Sequence, residues 1–381
     1  MPLLAQAVLK FVVRQMIQIP TVPRTTPLLR TVIPALLLLL LAAPATRADI
    51  GYQFVPVGNP GNANDTVAAG NGGLSYGAVS YSYAIGQYDV TLTQYTAFLN
   101  AVANADPFGL YNPSMATDLN VAGILQSGSS GNFSYSVIGS GNRPVTYVSE
   151  LDAMRFSNWL GNGQPLGLGE VAASTEDGAY TMASANQGFV LRNANAQYWV
   201  PTENEWYKAA YYDPNKGGPG VGGYWTYATR SDNALGNVIG NAPNQANFVI
   251  SGFSVGQSWP YSTSQNYLTD VGAFSGSASA YGTYDQNGDV NQIIGDPNGG
   301  YVERRGGSWG SPGADQLTSS TRFDSYPSEE RREVGFRIAT VPEPGAGASL
   351  ILAGAVLLAR RRRAALPKGG HRVETQRRSA T

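Results

Sequence analysis

Side chains that carry oxygen recur at every second position in one short stretch of the chain. They are Asp285, Asn287, Asp289 and Asn291, and Asp296 falls at the twelfth position. Carboxylate and amide oxygens are the ligands that calcium prefers, so this spacing could hold a hard divalent cation. An EF-hand loop requires glycine at its sixth position, where this sequence has Val290, and we discount that arrangement. A turn rich in Gly and Asn that needs no metal is the other interpretation.

A second stretch, residues 304–337, could bind a ligand. Trp309 and Phe336 are large apolar groups that would anchor its two ends in a core. Long loops held at both ends are often functional. The ring of Trp309, the hydroxyl of Ser311 and the guanidinium of Arg322 could together bind a sugar or a sugar acid, since a guanidinium pairs with a carboxylate through two hydrogen bonds.

Each of these candidates also has a structural interpretation. Scattered aromatic residues belong more often to a core than to a binding surface. Arg322 could instead pair with an acidic neighbour; the candidates are Asp315, Asp324 and Glu333. Glu203 and Glu205 lie where a helix would begin, so helix capping and the helix dipole explain them better than catalysis does.

The composition excludes several kinds of active site and partner. The 381-residue chain has no cysteine, and its one histidine, His371, lies in a basic tail. Neither a disulfide nor a Ser-His-Asp triad can therefore form. Between residues 49 and 359 the chain carries 25 acidic and 12 basic residues, a net charge near −13. A surface of that sign repels nucleic acid, and cations are the better partners.

Both ends of the chain have the composition of processing segments. Residues 1–48 hold five basic and no acidic residues, and an apolar run precedes small residues near Ala48, which predicts a secretory signal peptide. An N-terminal membrane anchor is the weaker alternative because the apolar run is short. Residues 341–363 join Pro342, Glu343 and Pro344 to a short apolar run and an arginine cluster, and residues 364–381 form a basic tail.

This C-terminal order of Pro-Glu-Pro, short apolar helix and arginine cluster resembles the PEP-CTERM sorting signal of Gram-negative bacteria. The arginine cluster would hold the end of a short transmembrane helix in the cytoplasm. The resemblance implies an inner-membrane intermediate, cleavage by an exosortase-type processing enzyme, and release to the cell surface or the medium, usually alongside exopolysaccharide. The basic tail runs further than such signals usually do.

Three capping boxes predict helices in the central body. Each places a hydroxyl before an apolar pattern of helical period. They are Thr91 with Gln94, Ser149 with Asp152, and Thr202 with Glu205. The segments between them are rich in Gly, Asn and Ser and predict short strands and ordered loops. We therefore expect one domain over residues 49–340.

Five blocks in order resemble the formylglycine-generating enzyme (sulfatase-modifying factor) family. They are Gly86 to Thr91 (GQYDVT), Arg143-Pro144-Val145, Pro201 to Trp206 (PTENEW), Tyr281 to Asp285 (YGTYD), and Arg305 to Trp309 (RGGSW) with Gly335-Phe336-Arg337. The resemblance covers residues 86–338. It implies an irregular, loop-rich α+β fold similar to C-type lectin domains.

The resemblance also implies functional residues. In catalytic members the loop after Trp309 carries two cysteines that bind copper and oxidise a sulfatase cysteine. Here Ser311 stands near the first, and nothing nearby replaces the second. A hydroxyl is a poor ligand for soft Cu(I), so no copper is expected. The family's calcium ligands correspond to Asn247, Asp289 and Gln292, and we favour at least one calcium ion.

These features predict an exported binding protein without catalytic activity, associated with the cell surface or with exopolysaccharide. Its expected partners are an exosortase-type processing enzyme, polysaccharide, and the membrane through the C-terminal helix, but not nucleic acid. An enzyme with a divergent active site on the same scaffold is the alternative, because the loop around Ser311 and Arg322 is retained.

Overall fold

The main helices begin at the residues that the capping boxes predict. The helices are α1 (Leu92–Val102), α2 (Ser114–Thr117), α3 (Glu150–Gly161) and α4 (Glu203–Tyr211). Before α1, α3 and α4 a hydroxyl accepts the backbone N–H three residues on, and the side chain at that position accepts the N–H of the cap residue. These bonds satisfy amides that a helix leaves free at its start, which confirms the three predicted caps.

The computed structural model describes residues 48, 50–66, 75–182, 190–298 and 301–342, all within a compact unit that spans Arg47–Thr381. The predicted signal peptide, except residue 48, lies outside these residues. So do the predicted sorting signal from Glu343 and Pro344 onward and the basic tail. In the part of the chain that is described, no helix is both long and apolar enough to cross a bilayer.

Short strands form two four-stranded sheets and two hairpins in the described residues. The first sheet has the antiparallel order β1 (Phe54–Val57), β2 (Tyr83–Gly86), β12 (Ala339–Thr340), β5 (Tyr198–Trp199). The second has the order β10 (Phe323–Ser325), β9 (Tyr301–Arg305), β8 (Asn291–Asn298), β11 (Val334–Gly335), with β11 parallel to β8. The hairpins pair β3 (Ile124–Ser127) with β4 (Ser134–Val137) and β6 (Tyr212–Asp213) with β7 (Gly223–Tyr224). Short helices and sheets joined by long loops make this an irregular α+β fold, which confirms the predicted class.

Aromatic rings from α1 and α3 form the centre of the main core. Tyr95, Phe98, Phe156 and Trp159 are fully buried and pack against one another in edge-to-face and tilted pairs. Phe336 packs edge-on against Tyr95 and Phe156, with ring centroids 6.3 and 5.4 Å apart. Because such aromatic pairs are favourable, Phe336 anchors the C-terminal end of the long loop, as the sequence predicts.

The buried Arg337 joins three segments of the fold. Its guanidinium donates to Asp89 Oδ1 at 3.1 Å, immediately before α1. It also donates to the carbonyl oxygens of Gly86, Gln87 and Tyr284 at 2.7 to 3.1 Å. A charge buried in this way needs its partners, because losing one would leave the other uncompensated.

Candidate functional site

The loop that carries the candidate ligand-binding residues begins with two glycines after β9. Gly306 and Gly307 have φ of +98° and +73°, a region that residues with a side chain rarely adopt. A Cβ on Gly306 would lie 2.7 Å from the carbonyl oxygen of Gln286, so only glycine fits against that backbone. The turn directs Trp309 inward, where its side chain is 3% exposed.

Ser311 is held in this turn by hydrogen bonds. Its Oγ accepts the backbone N–H of Ser308 at 2.9 Å, and its own N–H donates to the Ser308 carbonyl at 3.0 Å. Its carbonyl accepts the N–H of Val249 at 3.0 Å. A serine nucleophile needs an adjacent general base, and the one histidine of the chain, His371, lies outside the described residues. These contacts give Ser311 a structural role in the turn.

Arg322 belongs to a buried network of two arginines and two glutamates. It forms ion pairs with Glu203 at 3.0 Å and with Glu303 at 2.6 Å, and Arg305 donates to Glu203 at 2.6 Å. Both guanidinium groups lie over the ring of Tyr76, at 5.0 Å for Arg305 and 5.5 Å for Arg322. The Arg322 guanidinium therefore already donates to protein carboxylates through N–H groups that the sequence analysis expected to bind a ligand.

The structural interpretation of Arg322 holds, but its partners differ from those predicted. Asp315, Asp324 and Glu333 are wrong as partners, because the first turn of α4 brings Glu203 to Arg322 from 119 residues away. Burial, with a smaller effect of the neighbouring Asp324, raises the pKa of Glu303 to about 7, against the opposing charge of Arg322. The Glu303 carboxyl therefore holds its proton at a higher pH than an exposed glutamate does.

Trp309 is the buried end of a stack of aromatic rings. Its ring lies parallel to that of Tyr267, with 5.1 Å between centroids and 7° between planes. Tyr267 in turn lies on Tyr261 at 5.7 Å and 16°. Phe253 packs beside Tyr267 at 4.3 Å and beside Trp259 at 5.0 Å. We name these five residues the aromatic stack; the contacts place Trp309 in its interior and not at a surface.

The outer end of the aromatic stack is open to solvent. The side chains of Trp259 and Tyr261 are 55% and 40% exposed, and adjacent exposed rings often mark a binding surface. The Tyr261 hydroxyl donates to the amide oxygen of Asn120 and accepts from Arg332 at 3.1 Å, and Arg332 lies 3.6 Å from Asp118. Exposed rings bordered by a guanidinium and a carboxylate suit a ligand with both apolar faces and hydroxyl groups.

Sequence reasoning missed Trp259 and Tyr261 as candidates. They lie in a segment rich in Gly, Asn and Ser, where aromatic residues look isolated. Their connection to Trp309 spans about 50 residues of irregular chain, and no periodic pattern reveals such a contact. The available signal was the pair of aromatic residues on either side of Pro260 in a polar loop.

Two of the three predicted calcium ligands are in contact, and the third is directed elsewhere. Asp289 accepts from the Asn247 amide at 2.8 Å, and Thr269 donates to both carboxylate oxygens, through its N–H at 3.2 Å and its hydroxyl at 3.0 Å. The side-chain oxygen of Gln292 accepts from Arg337 at 2.9 Å. The Gln292 oxygen therefore already faces a cationic group, whereas Asn247 and Asp289 lie in contact with each other; calcium at these residues stays a prediction.

Burial controls the electrostatics around Asp289. Burial, and next the charge of Asp285, raise the pKa of Asp289 to about 8, and burial raises the pKa of Asp285 to about 6. Across the described ranges, no group of three or more His, Cys, Asp or Glu side chains is arranged to hold a metal ion. Calcium at Asn247 and Asp289 would therefore need peptide carbonyls or water as further ligands.

Comparisons with known proteins give a family and several solved structures. The family model described as Sulfatase-modifying factor enzyme 1-like domain matches residues 62–341. Treponema denticola variable protein 1 is 20% identical to this chain, the match covers 78% of this chain and 98% of that one, and the TM-score is 0.47. The crystal structure of CarF matches at 20% identity, 77% and 100% coverage and a TM-score of 0.43. PvdO from Pseudomonas aeruginosa matches at 17% identity, 77% and 93% coverage and a TM-score of 0.39. No curated protein sequence matches.

Proposed function

The chain belongs to the sulfatase-modifying factor enzyme 1-like domain family, and on that premise we propose that it is an exported, non-catalytic protein that binds polysaccharide. The observation that carries the proposal is the solvent-exposed outer end of the aromatic stack, at Trp259 and Tyr261. These rings project from the same cluster that buries Trp309, at the base of the loop in which catalytic relatives carry their thiols.

The oxidase chemistry of catalytic relatives lacks its ligands in this chain. The sequence contains no cysteine, and the hydroxyl of Ser311 is a poor substitute because Cu(I) prefers soft sulfur ligands. The same hydroxyl accepts the N–H of Ser308 and so takes part in the turn. A retained scaffold without the reactive group supports binding as the function.

The chemistry of the aromatic stack supports a saccharide as the ligand. A sugar ring has an apolar face that packs on an aromatic ring and hydroxyl groups that need hydrogen-bond partners. Trp259 and Tyr261 offer the rings, and Arg332 lies at their edge as a polar group. The side chain of Arg332 is 39% exposed, so it remains accessible to an acidic sugar as well as to a neutral one.

We also propose the route by which the protein meets polysaccharide. Residues 1–48 would direct export, and Pro342, Glu343 and Pro344 with the apolar run after them would direct membrane retention and processing by an exosortase-type enzyme. The product would remain at the surface of a Gram-negative cell or leave it. Calcium at Asn247 and Asp289 belongs to the same proposal as a structural cofactor, without copper.

Binding of the mature, exported protein to exopolysaccharide of the producing bacterium tests the proposal. We expect co-sedimentation and a calorimetric signal with the wild type, and about tenfold weaker binding for Trp259→Ala, as for other central aromatic contacts. Tyr326→Ala is the matched control, since Tyr326 is 60% exposed and lies outside the aromatic stack. No binding by the wild type, or equal loss in both variants, would overturn the assignment.

A separate assay addresses the catalytic alternative. The wild type is incubated with Cu(I), oxygen and a peptide that carries a sulfatase-type cysteine, and the peptide is analysed by mass spectrometry. We expect the cysteine to remain unchanged. Conversion to the aldehyde at a rate above that of copper alone would show that the protein is an enzyme.

A further inference from the structure

The segment that carries the exposed rings of the aromatic stack contains no charged residue. From residue 233 to residue 269 every side chain is neutral, and the nearest charged residues along the chain are Asp232 and Asp270. Across the whole sequence, by contrast, 13% of the residues are charged. Trp259 and Tyr261 lie in this segment, so it offers their ligand aromatic and polar contacts but no ionic partner.

The side chains next to the exposed rings suit hydroxyl groups. Ser258 precedes Trp259, Thr263 follows Tyr261 by two residues, and both hydroxyl residues are exposed. A hydroxyl side chain both donates and accepts hydrogen bonds, as the hydroxyl groups of a sugar do. An ionised carboxylate only accepts, and it needs a strong donor to offset its lost hydration. These neighbours therefore match a neutral sugar better than an acidic one.

The positive charge of Arg332 reaches the exposed rings, but two carboxylates already pair with it. Its Nη1 donates to the Tyr261 hydroxyl at 3.1 Å. Its Nε donates to Glu333 Oε1 at 3.1 Å, and its Nη1 lies 3.6 Å from Asp118 Oδ2. Two negative charges thus face one positive charge at the edge of the rings. A carboxylate on the ligand would add a third negative charge to this group.

The charge of the central body acts in the same direction. Residues 49–359 include 25 acidic and 12 basic residues, so an acidic polymer approaches a surface of its own sign. Arg332 has room for an acidic sugar, because its side chain is 39% exposed, but that sugar would meet the charges of Asp118 and Glu333. A neutral polymer meets no such repulsion.

From this arrangement we propose that the aromatic stack binds uncharged polysaccharide, and that Asp118 and Glu333, by pairing with Arg332, select against acidic sugars. The inference rests on the proposed polysaccharide binding and specifies its ligand. Neutral sugars then bind through ring stacking and hydroxyl hydrogen bonds, which dissolved salt screens little.

Two derivatives of one polymer provide matched probes. Carboxyl reduction of the exopolysaccharide of the producing bacterium converts its uronic acids to neutral sugars. Oxidation of the primary alcohols of this reduced polymer then adds carboxylates to the same backbone. We expect calorimetry at low salt to show at least about fivefold tighter binding of the reduced polymer, the effect of one unit charge a few ångström away in water. Equal or tighter binding of the oxidised polymer would overturn the inference.

Salt provides an independent measurement. Repulsion between exposed charges weakens as dissolved ions screen it, over about 10 Å at 0.1 M salt and about 3 Å at 1 M. Raising the salt should therefore change the affinity of the reduced polymer by less than about twofold and bring that of the oxidised polymer closer to it. A steep loss of reduced-polymer binding with salt would show that the contacts are ionic and would overturn the inference.

A single substitution tests the role of Glu333. Glu333→Gln removes one of the two carboxylates and so balances the charge of Arg332, and the two polymers should then bind within about twofold of each other at low salt. Asp232→Asn is the matched control, because it changes the charge of the protein equally but pairs with Lys216 at 2.9 Å. It should keep the wild-type ratio of affinities. The wild-type ratio in Glu333→Gln, or the same change in both variants, would refute selection by Glu333.

Failure of this inference can be told apart from failure of polysaccharide binding. If neither polymer binds to the wild type, polysaccharide binding is wrong and the inference is wrong with it. If the oxidised polymer binds as tightly as the reduced one and Trp259→Ala weakens both, the aromatic stack binds polysaccharide but does not reject acidic sugars.

Discussion

Ser311 is held in its turn through both its side chain and its backbone. Its Oγ accepts from Ser308, while its carbonyl accepts from Val249 and so connects the loop to the aromatic stack region. A thiol at this position would be free to bind a soft metal, whereas the hydroxyl forms a conventional hydrogen bond. At this residue the side chain and the backbone both link the loop to its surroundings.

Replacing Ser311 by alanine removes the acceptor of the Ser308 N–H. Because that N–H is buried with its partner, we expect the free energy of unfolding to fall by about 1 kcal/mol, with polysaccharide binding unchanged. Urea denaturation measures the first quantity and calorimetry the second. Ser264→Ala, at an exposed serine, is the control and should change neither. A loss of binding in Ser311→Ala at full stability would show that the hydroxyl contacts the ligand.

The residues around Asp289 make a specific prediction about calcium. If calcium binds at Asn247 and Asp289, saturating calcium should raise the melting temperature by roughly 5 °C, the shift expected from a few kcal/mol of ligand binding. Asp289→Asn should abolish the shift, and Gln292→Met should retain it because the Gln292 oxygen faces Arg337. Scanning calorimetry with and without calcium measures it. No shift in the wild type would count against calcium, and loss of the shift in Gln292→Met would restore that residue as a ligand.

At the scale of elements, the network of Arg305 and Arg322 connects the first turn of α4 to β9 and the chain around β10. Glu203 lies in α4, Glu303 and Arg305 in β9, and Arg322 directly before β10. Arg305 also donates to the carbonyl oxygens of Ser319 and Thr321 at 2.9 and 3.0 Å. The Arg305 side chain of β9 thus satisfies two backbone carbonyls of the loop that precedes β10.

Removing Arg305 should cost more stability than removing Arg322. The side chain of Arg305 is fully buried and that of Arg322 is 16% exposed. Arg305→Met therefore leaves Glu203 paired only with the more exposed arginine, whereas Arg322→Met leaves it paired with the buried one. We expect a loss of about 3 kcal/mol for Arg305→Met and a smaller loss for Arg322→Met. Lys216→Met, which breaks the exposed pair with Asp232, should cost less than about 1 kcal/mol. Chemical denaturation of the three variants decides the order, and a reversed order for the two arginines would contradict the assigned geometry.

The elements also show what the sequence could and could not predict. Caps such as Thr91 with Gln94 are local, because both partners lie within four residues, and all three predicted caps form. The pairing of Arg322 with Glu203 and the stacking of Tyr267 on Trp309 join segments 119 and 42 residues apart through irregular loops. Periodicity carries no information on such contacts. The fold class was predictable because ordered family blocks encode it, whereas the exposed face of the site was not.

At the scale of the whole molecule, buried carboxyl groups link stability to pH. Burial, with a further effect of Asp106, raises the pKa of Glu170 to about 8. Burial, with a further effect of Glu330, raises the pKa of Asp152 to about 7. Between pH 4 and these values the folded protein holds protons that the unfolded chain has lost. Stability therefore falls as pH rises through this range, because the folded state binds more protons.

Exposed carboxyl groups act in the opposite direction and at lower pH. Hydrogen bonds and ion pairs lower the pKa of Asp232 and of Glu329, despite the opposing effect of partial burial. For these groups the unfolded chain binds the extra proton, so their contribution is lost as pH falls below about 4. The two effects together predict a maximum of stability between about pH 4 and pH 5, where the two ranges of pH meet.

The melting temperature should therefore be highest between about pH 4 and pH 5 and roughly 5 to 10 °C lower at pH 8, a shift that corresponds to a few kcal/mol for a domain of this size. Glu170→Gln removes the largest of these ionisations while keeping the shape of the side chain, so its melting temperature should exceed that of the wild type at pH 8 and depend less on pH. Asp270→Asn, at an exposed carboxylate, should leave the profile unchanged. Scanning calorimetry from pH 4 to pH 8 without divalent cations measures all three proteins. A wild-type melting temperature that rises from pH 4 to pH 8 would contradict the raised pKa values of Glu170 and Asp152.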